Sequence, residues 1–185
     1  MAQVILQPSL VILDRDGVIN EDSDQYIKTA EQWQPIKGSL SAIRRLKEKG
    51  IPLAVATNQS GIARGYFSYA ILAEMHNKLF SLLGDAKDAV HYIAICPHGP
   101  NDGCHCRKPE IGLCEEISQK LSIPLSKTVY FVGDSLKDIE AAIAANCTPV
   151  LVKTGKGMRT LATKSVLLDD CLVFDNLEKF VDYLQ

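Results

Sequence analysis

The chain has no long apolar run. Its hydrophobic stretches end after about half a dozen residues, far short of the ~18 that cross a bilayer. Nor does it carry an excess of one charge: 20 Lys and Arg stand against 22 Asp and Glu, for a formal net charge of -2. Nucleic-acid binders usually show a basic excess or a dense basic patch, so a bulk polyanion partner is not expected. The N-terminal MAQVILQPSL has no basic segment and no apolar core leading to a small-residue cleavage site, so no export signal is expected. Internal repeats, low-complexity tracts and linkers are also missing, which makes residues 1–185 one expected domain. The chain has 46% hydrophobic and 23% charged residues, the composition of an ordinary globular protein, which excludes disorder, collagen and coiled coil as the whole answer. A chain of 185 residues buries roughly two-thirds of its unfolded surface, so its core needs no disulfides. A cytoplasmic, monomeric protein without a membrane or nucleic-acid partner is the expectation.

Short apolar segments alternate with helical patterns. Residues 10–13, 53–56, 90–95, 129–132 and 149–152 read as strands, nearly continuous in apolar residues, as a parallel sheet covered on both faces requires. Between them, Leu40, Ile43 and Leu46 mark one helix, stopped by Gly50 and Pro52. Ile71, Met75, Leu79 and Leu82 mark a second, Leu113, Ile117 and Leu121 a third, and Ile139 and Ile143 a fourth. Residues 166–168 and 172–174 are expected as edge strands, and 177–184 as a closing helix. The alternation predicts an α/β fold, a doubly wound three-layer sandwich around a mainly parallel sheet.

In such sheets ligands bind outside the carboxyl ends of the strands. The first strand runs into Asp14-Arg15-Asp16-Gly17, where two nearby carboxylates call for a cation, and Mg²⁺ is the hard, oxygen-seeking choice. The second ends in Thr57-Asn58-Gln59-Ser60-Gly61, a set of small polar groups able to take phosphate oxygens. The fourth ends in Gly133-Asp134-Ser135, with Asp138 one turn further on, so further carboxylates can join an oxygen-rich metal site. Arg107 and Lys108 precede the third helix and can balance a phosphate. The basic, glycine-rich KTGKGMR at 153–159 does not fit a P-loop and reads as a solvated loop unless a phosphate lies nearby.

Six cysteines are present, and Cys96, Cys104 and Cys106 fall in one irregular stretch with His98 and His105. A long loop inside a compact domain is usually functional. One imidazole and three thiolates can close a tetrahedral zinc site, with His98 and His105 competing as the nitrogen ligand. Cys114, Cys147 and Cys171 lie in or beside apolar segments and suit the core.

In this order the strand-end segments resemble the four motifs of the haloacid-dehalogenase (HAD) superfamily. More narrowly, DRDGVIN, TNQSGIARG, CPHGPNDGCHCRKP and VGDSLKDIEAA resemble the D-glycero-D-manno-heptose 1,7-bisphosphate 7-phosphatase family, related to histidinol-phosphate phosphatase. The resemblance spans about residues 10–155. It implies a capless, Mg²⁺-dependent phosphatase acting on a small sugar phosphate in lipopolysaccharide precursor synthesis. Asp14 would be the nucleophile and Asp16 the general acid and base. Asp14, the Asp16 carbonyl and Asp134 would hold Mg²⁺. Thr57, Asn58 and Lys108 would hold the transferring phosphoryl group. Asp22, Ser23, Asp24, Gln25, Tyr26, Gln59, Ser60 and Arg107 would contact the sugar. The family layout, ending in C-x-C, selects Cys96, His98, Cys104 and Cys106 as a structural Zn²⁺ set. Ser135 departs from the lysine that follows the last motif aspartate in some relatives. Histidinol phosphate is the alternative substrate. A phosphoacceptor signalling domain is disfavoured by the proton-carrying Asp16, and a zinc-dependent nucleic-acid module by the near-neutral charge.

Overall fold

The computed structural model describes residues 7–184; residues 1–6, part of the N-terminal segment read above, and residue 185 lie outside the described residues. Strands β1 (Leu10–Leu13), β2 (Leu53–Asn58), β3 (Val90–Cys96), β4 (Val129–Gly133), β5 (Thr148–Val152) and β6 (Leu172–Phe174) form one sheet. The strand order is β3-β2-β1-β4-β5-β6, and every pairing is parallel. Helices α1 (Ser39–Glu48), α2 (Tyr69–Leu83), α3 (Gly112–Leu121), α4 (Leu136–Ala144), α5 (Gly157–Ala162) and α6 (Leu177–Tyr183) complete the alternation.

The apolar strands are continuous because both faces of the sheet are covered. In β1, Val11 and Leu13 join a core with residues of α1, α2 and α6, whereas Leu10 and Ile12 join a second core with residues of α3 and α4. Strand β1 is thus buried along its whole length and needs no polar face.

Three expectations are corrected. Residues 166–168 form a 3₁₀ turn rather than an edge strand: Ser165 Oγ accepts from the Leu167 amide at 3.3 Å, and Val166 is 78% exposed. In α2 the buried stripe is Leu72, Met75, Leu79 and Leu83, so Leu82 faces outward. In α4, Ile139 is buried but Ile143 is exposed. The closing helix and the edge strand at 172–174 are found where expected.

The winding reverses at β1. The chain proceeds from β1 to β2 and β3 on one side, then crosses to β4, β5 and β6 on the other. Side chains leaving β1 and β4 therefore meet in the crevice that this reversal opens. The Asp14 amide donates to the Val132 carbonyl at 2.8 Å, which sets Asp14 beside the end of β4. Residues 14–38 connect β1 to α1 without a helix or strand, so no separate cap is built there among the described residues. No helix among the described residues is long and apolar enough to cross a membrane.

Candidate active site

The crevice is a cavity of about 580 Å³ lined by Asp14, Asp16, Asp134 and Lys108 together with parts of the connections that follow β1, β2, β3, β4 and β5. Lys108 sits at its floor, 2% exposed. Its ammonium lies 2.9 Å from Asp14 Oδ1 and 2.7 Å from Asp138 Oδ1, and donates to the Ala56 carbonyl at 2.8 Å. Burial alone would lower its pKa, but Asp138 and Asp14 reverse that and hold it well above the usual lysine range.

Asp14, Asp134 and Asp138 present carboxylate oxygens within 4.8 Å of one another. Asp138 is already tied down: besides Lys108, its Oδ2 accepts from the Ser135 amide at 3.0 Å and the Ser135 hydroxyl at 2.6 Å. Asp14 and Asp134 are less well compensated. Burial pushes Asp14 up to about 7, with Lys108 opposing the rise and Asp138 and Asp16 adding to it. Burial, Asp138 and Asp14 push Asp134 up to about 8, against the Lys156 amide that donates to it at 2.7 Å. Two buried carboxylates that resist ionisation beside one another are a donor set that a hard dication fits.

Asp16 has the opposite environment. Arg15 clamps it through Nε at 3.2 Å and Nη2 at 3.0 Å from each carboxylate oxygen. Asn20 Nδ2 donates at 2.9 Å and Gln59 Nε2 at 2.8 Å. Burial would raise its pKa, but the Arg15 charge and these hydrogen bonds outweigh burial and hold it below the usual carboxylate value. Without a cation the two neighbouring aspartates thus differ in proton affinity, Asp14 raised and Asp16 lowered, so a cation on Asp14 and an anionic substrate beside Asp16 would each reverse the resting preference.

The structure brings most of the expected contacts to the cavity: Asp22, Ser23, Asp24, Asn58, Gln59, Ser60, Arg107 and Lys108 all line it. It does not bring Gln25 or Thr57. Gln25 is exposed in a turn where its amide donates to Ser23 Oγ, and Thr57 is fully buried beneath Gln59, which donates to its hydroxyl at 2.8 Å. Asn58 braces Lys108: its Nδ2 donates to the Lys108 carbonyl, and its Oδ1 accepts from the Lys108 amide, both at 3.1 Å.

The segment 153–159 is not a solvated loop. Thr154 Oγ1 donates to the Gly17 carbonyl at 2.6 Å, Lys156 Nζ lies 2.8 Å from Asp22, and Arg159 lies 3.0 Å from Asp24. Lys156, Arg159, Thr160 and Thr163 all join the cavity wall. Two glycines permit this approach. A Cβ on Gly17 would meet Asp134 Oδ2 at 2.0 Å, and one on Gly155 would meet the same oxygen at 2.2 Å; both have positive φ. The sequence signal was present as the glycine spacing in KTGKG, but nothing local says which element a loop folds against. Tyr26, the last residue of the stretch expected to contact the sugar, lines the cavity too, as do Phe67 and Lys137, which were not anticipated.

The cysteine cluster closes as a tetrahedron would. Cys96 and Cys104 sulfurs lie 3.7 Å apart, Cys104 and Cys106 3.6 Å, and His98 Nδ1 lies 3.2 Å from Cys106 and 3.7 Å from Cys96. Zinc–sulfur bonds of ~2.3 Å at tetrahedral angles put sulfurs about 3.8 Å apart, so the four residues fit zinc. His105 turns outward to Glu115, 2.7 Å away, so His98 rather than His105 lies with the three thiols. Without a cation, burial and the neighbouring thiols push Cys106 up to about 12. The cluster is continuous with the site, because Arg107 Nη1 donates to the His98 carbonyl at 3.0 Å.

A family model for HAD-hydrolase-like proteins matches residues 105–180. The chain is 54% identical over 169 residues to the D-glycero-β-D-manno-heptose-1,7-bisphosphate 7-phosphatase of Pseudomonas aeruginosa, covering 91% of this chain and 93% of that protein. The chain belongs to the D-glycero-β-D-manno-heptose-1,7-bisphosphate 7-phosphatase family. The Neisseria meningitidis member of that family is 44% identical over 176 residues, covering 95% of this chain and 94% of that protein. The structure resembles the D,D-heptose 1,7-bisphosphate phosphatase of Bordetella bronchiseptica complexed with magnesium and phosphate. The TM-score is 0.90 at 44% identity, over 95% of this chain and 97% of that one.

Two measurements test the metal sites of this family member. In the Mg²⁺-free protein Asp14 and Asp134, ordinarily near 3.8, stay protonated up to about 7 and about 8. The folded state then holds protons that the unfolded chain has released, so stability falls as pH rises through that range. Between pH 7 and pH 8, where His76, about 4 when folded and ordinarily 6.5, is largely neutral in both states, thermal unfolding without Mg²⁺ should shift downward. Saturating Mg²⁺ should remove the slope, and Asp134→Asn should raise the Mg²⁺-free Tm at pH 8 while abolishing the Mg²⁺ response. A pH-independent Tm without Mg²⁺ contradicts the assignment. For the second site, elemental analysis of protein purified without chelator should find about one zinc per chain. Cys104→Ala should lower the zinc content and the Tm together; full zinc content in that variant contradicts the ligand set.

Proposed function

We propose that the protein removes the 7-phosphate of D-glycero-β-D-manno-heptose 1,7-bisphosphate through a phosphoryl-aspartate on Asp14. What carries the chemistry is the meeting of Asp14 with the buried Lys108 and Asp134 at the end of β1, beside a separately clamped Asp16. What carries the substrate is the 54% identity to a protein of that name. The relevant unit is the chain as one catalytic domain with a small sugar phosphate as partner.

Asp14, Asp134 and the carbonyl of Asp16 would hold Mg²⁺, which when bound offsets charge on the equatorial phosphoryl oxygens. Asp14 attacks phosphorus, and the bond to the sugar oxygen breaks. Lys108, held against Asp14, supplies a fixed positive charge where negative charge accumulates, so no reorganisation is needed at that moment. Asp16 gives a proton to the departing oxygen. Its resting environment favours the carboxylate, and the phosphate charges brought beside it favour the protonated form. Asp16 then takes a proton from water, which attacks the phosphoryl-aspartate, and phosphate leaves with Asp14 restored. Arg107 is anchored to the His98 carbonyl by one N–H, with the rest of the guanidinium available for the second phosphate or the sugar hydroxyls. Zinc would have a structural role, because four protein ligands leave no open position for water.

Phosphate release from heptose 1,7-bisphosphate, histidinol phosphate and 4-nitrophenyl phosphate tests this reading. The heptose should give the highest kcat/KM, and Asp14→Asn should abolish turnover of all three while retaining the fold. Arg107→Ala should lower kcat/KM for the heptose by about tenfold or more, and much less for the aryl ester, because remote binding energy is lost only with the larger substrate. Higher kcat/KM on histidinol phosphate overturns the substrate; turnover by Asp14→Asn near that of the unchanged protein overturns the nucleophile.

A further inference from the structure

Arg15 lies between the two motif aspartates and is 1% exposed, a fully buried cation. Its Nε and Nη2 are spent on Asp16. Its remaining nitrogen, Nη1, faces α2, where it lies 3.8 Å from Met75 Sδ and 3.5 Å from His76 Nε2. Met75 is fully buried and His76 is 8% exposed. A thioether is a weak acceptor, so the imidazole is the stronger partner for this N–H. A guanidinium only donates, so His76 Nε2 must carry its lone pair, with the ring proton on Nδ1. Burial and the Arg15 charge keep the ring neutral by pushing its pKa down to about 4.

We infer that His76 is a positioning residue for the proton-carrying carboxylate, acting through Arg15 to fix the angle at which Asp16 faces the departing oxygen. The inference rests on the phosphatase reading and on the acid role of Asp16. A planar guanidinium bonded to both carboxylate oxygens transmits its own orientation to the carboxylate plane. That orientation is set from the far side by what Nη1 meets. Asn20 and the cavity-lining Gln59 donate to the same carboxylate, and His76 adds a restraint through Arg15 from α2. Substrate does not reach His76, because Arg15 lies between it and Asp16.

The predicted signature is selective for the leaving group. 4-Nitrophenolate departs without a proton, whereas a sugar alkoxide needs one. His76→Leu should lower kcat/KM for the heptose bisphosphate roughly tenfold, a fraction of what general acid catalysis contributes, and leave that for 4-nitrophenyl phosphate within about twofold. His76→Gln, whose Oε1 can accept from Nη1, should restore the sugar-phosphate value. His76→Asn, polar but shorter, should not, and this pair carries the comparison if the leucine variant does not fold. Equal losses on both esters, no loss in His76→Leu or His76→Asn, or no rescue by a folded His76→Gln overturns the inference. Nitrogen-15 spectra of the unchanged protein give a readout independent of turnover: the Nδ1–H tautomer is expected, and an Nε2–H tautomer or an imidazolium at neutral pH overturns it. Turnover of the heptose by the unchanged protein tests the phosphatase reading, whereas the ratio between esters in the variants tests His76.

Discussion

One buried ammonium holds the site together. Lys108 reaches the floor of the crevice from the end of the cysteine loop and bonds at once to Asp14 just past β1, Asp138 of α4 and the Ala56 carbonyl of β2. A lysine so buried is costly unless each of its protons finds a partner, and here three partners come from three different elements. The contact therefore fixes the relative positions of β1, β2 and α4 at their reacting ends. It also leaves a deficit of positive charge. One ammonium cannot neutralise Asp14, Asp134 and Asp138 together, and burial, with the neighbouring carboxylates adding to it, raises the pKa values of Asp14 and Asp134. The need for a dication is in this sense a property of the protein's own charge arrangement.

The same logic separates the two aspartates of the first motif. Asp14 has one shared cation and a dry environment; Asp16 has its own guanidinium and two amide donors. Strand alternation alone would point residues two apart to the same face; both lie past the end of β1, where the chain turns, and their different neighbours separate them. The loop after β5 then closes the opposite wall, laid against motif one because Gly17 and Gly155 leave no Cβ between them and Asp134. The cysteine loop contributes from the other side, delivering Arg107 and Lys108 as consecutive residues immediately after the tetrahedral cluster.

Much of this was legible in the sequence because it depends on local pattern. Continuous apolar strands and strand-end polar motifs placed Asp14, Asp16, Asn58, Lys108 and Asp134 in one crevice, where the structure has them. What was missed depends on tertiary partners. Leu82 and Leu83 are equivalent as letters, and only the packing of α2 decides which one is buried. Residues 166–168 have strand composition, but Ser165 offers a local cap and the triplet turns. Thr57 looks like a phosphate ligand by type, yet it is buried beneath Gln59. The role of 153–159 and the burial of His76 against Arg15 required knowing which elements touch.

The stereochemical course at phosphorus tests the central claim most directly. Heptose 1,7-bisphosphate made chiral at the 7-phosphorus with oxygen isotopes can be turned over and the configuration of the released phosphate determined. Two in-line displacements through Asp14 predict net retention. Net inversion would mean that water attacks phosphorus directly, and would contradict a nucleophilic Asp14.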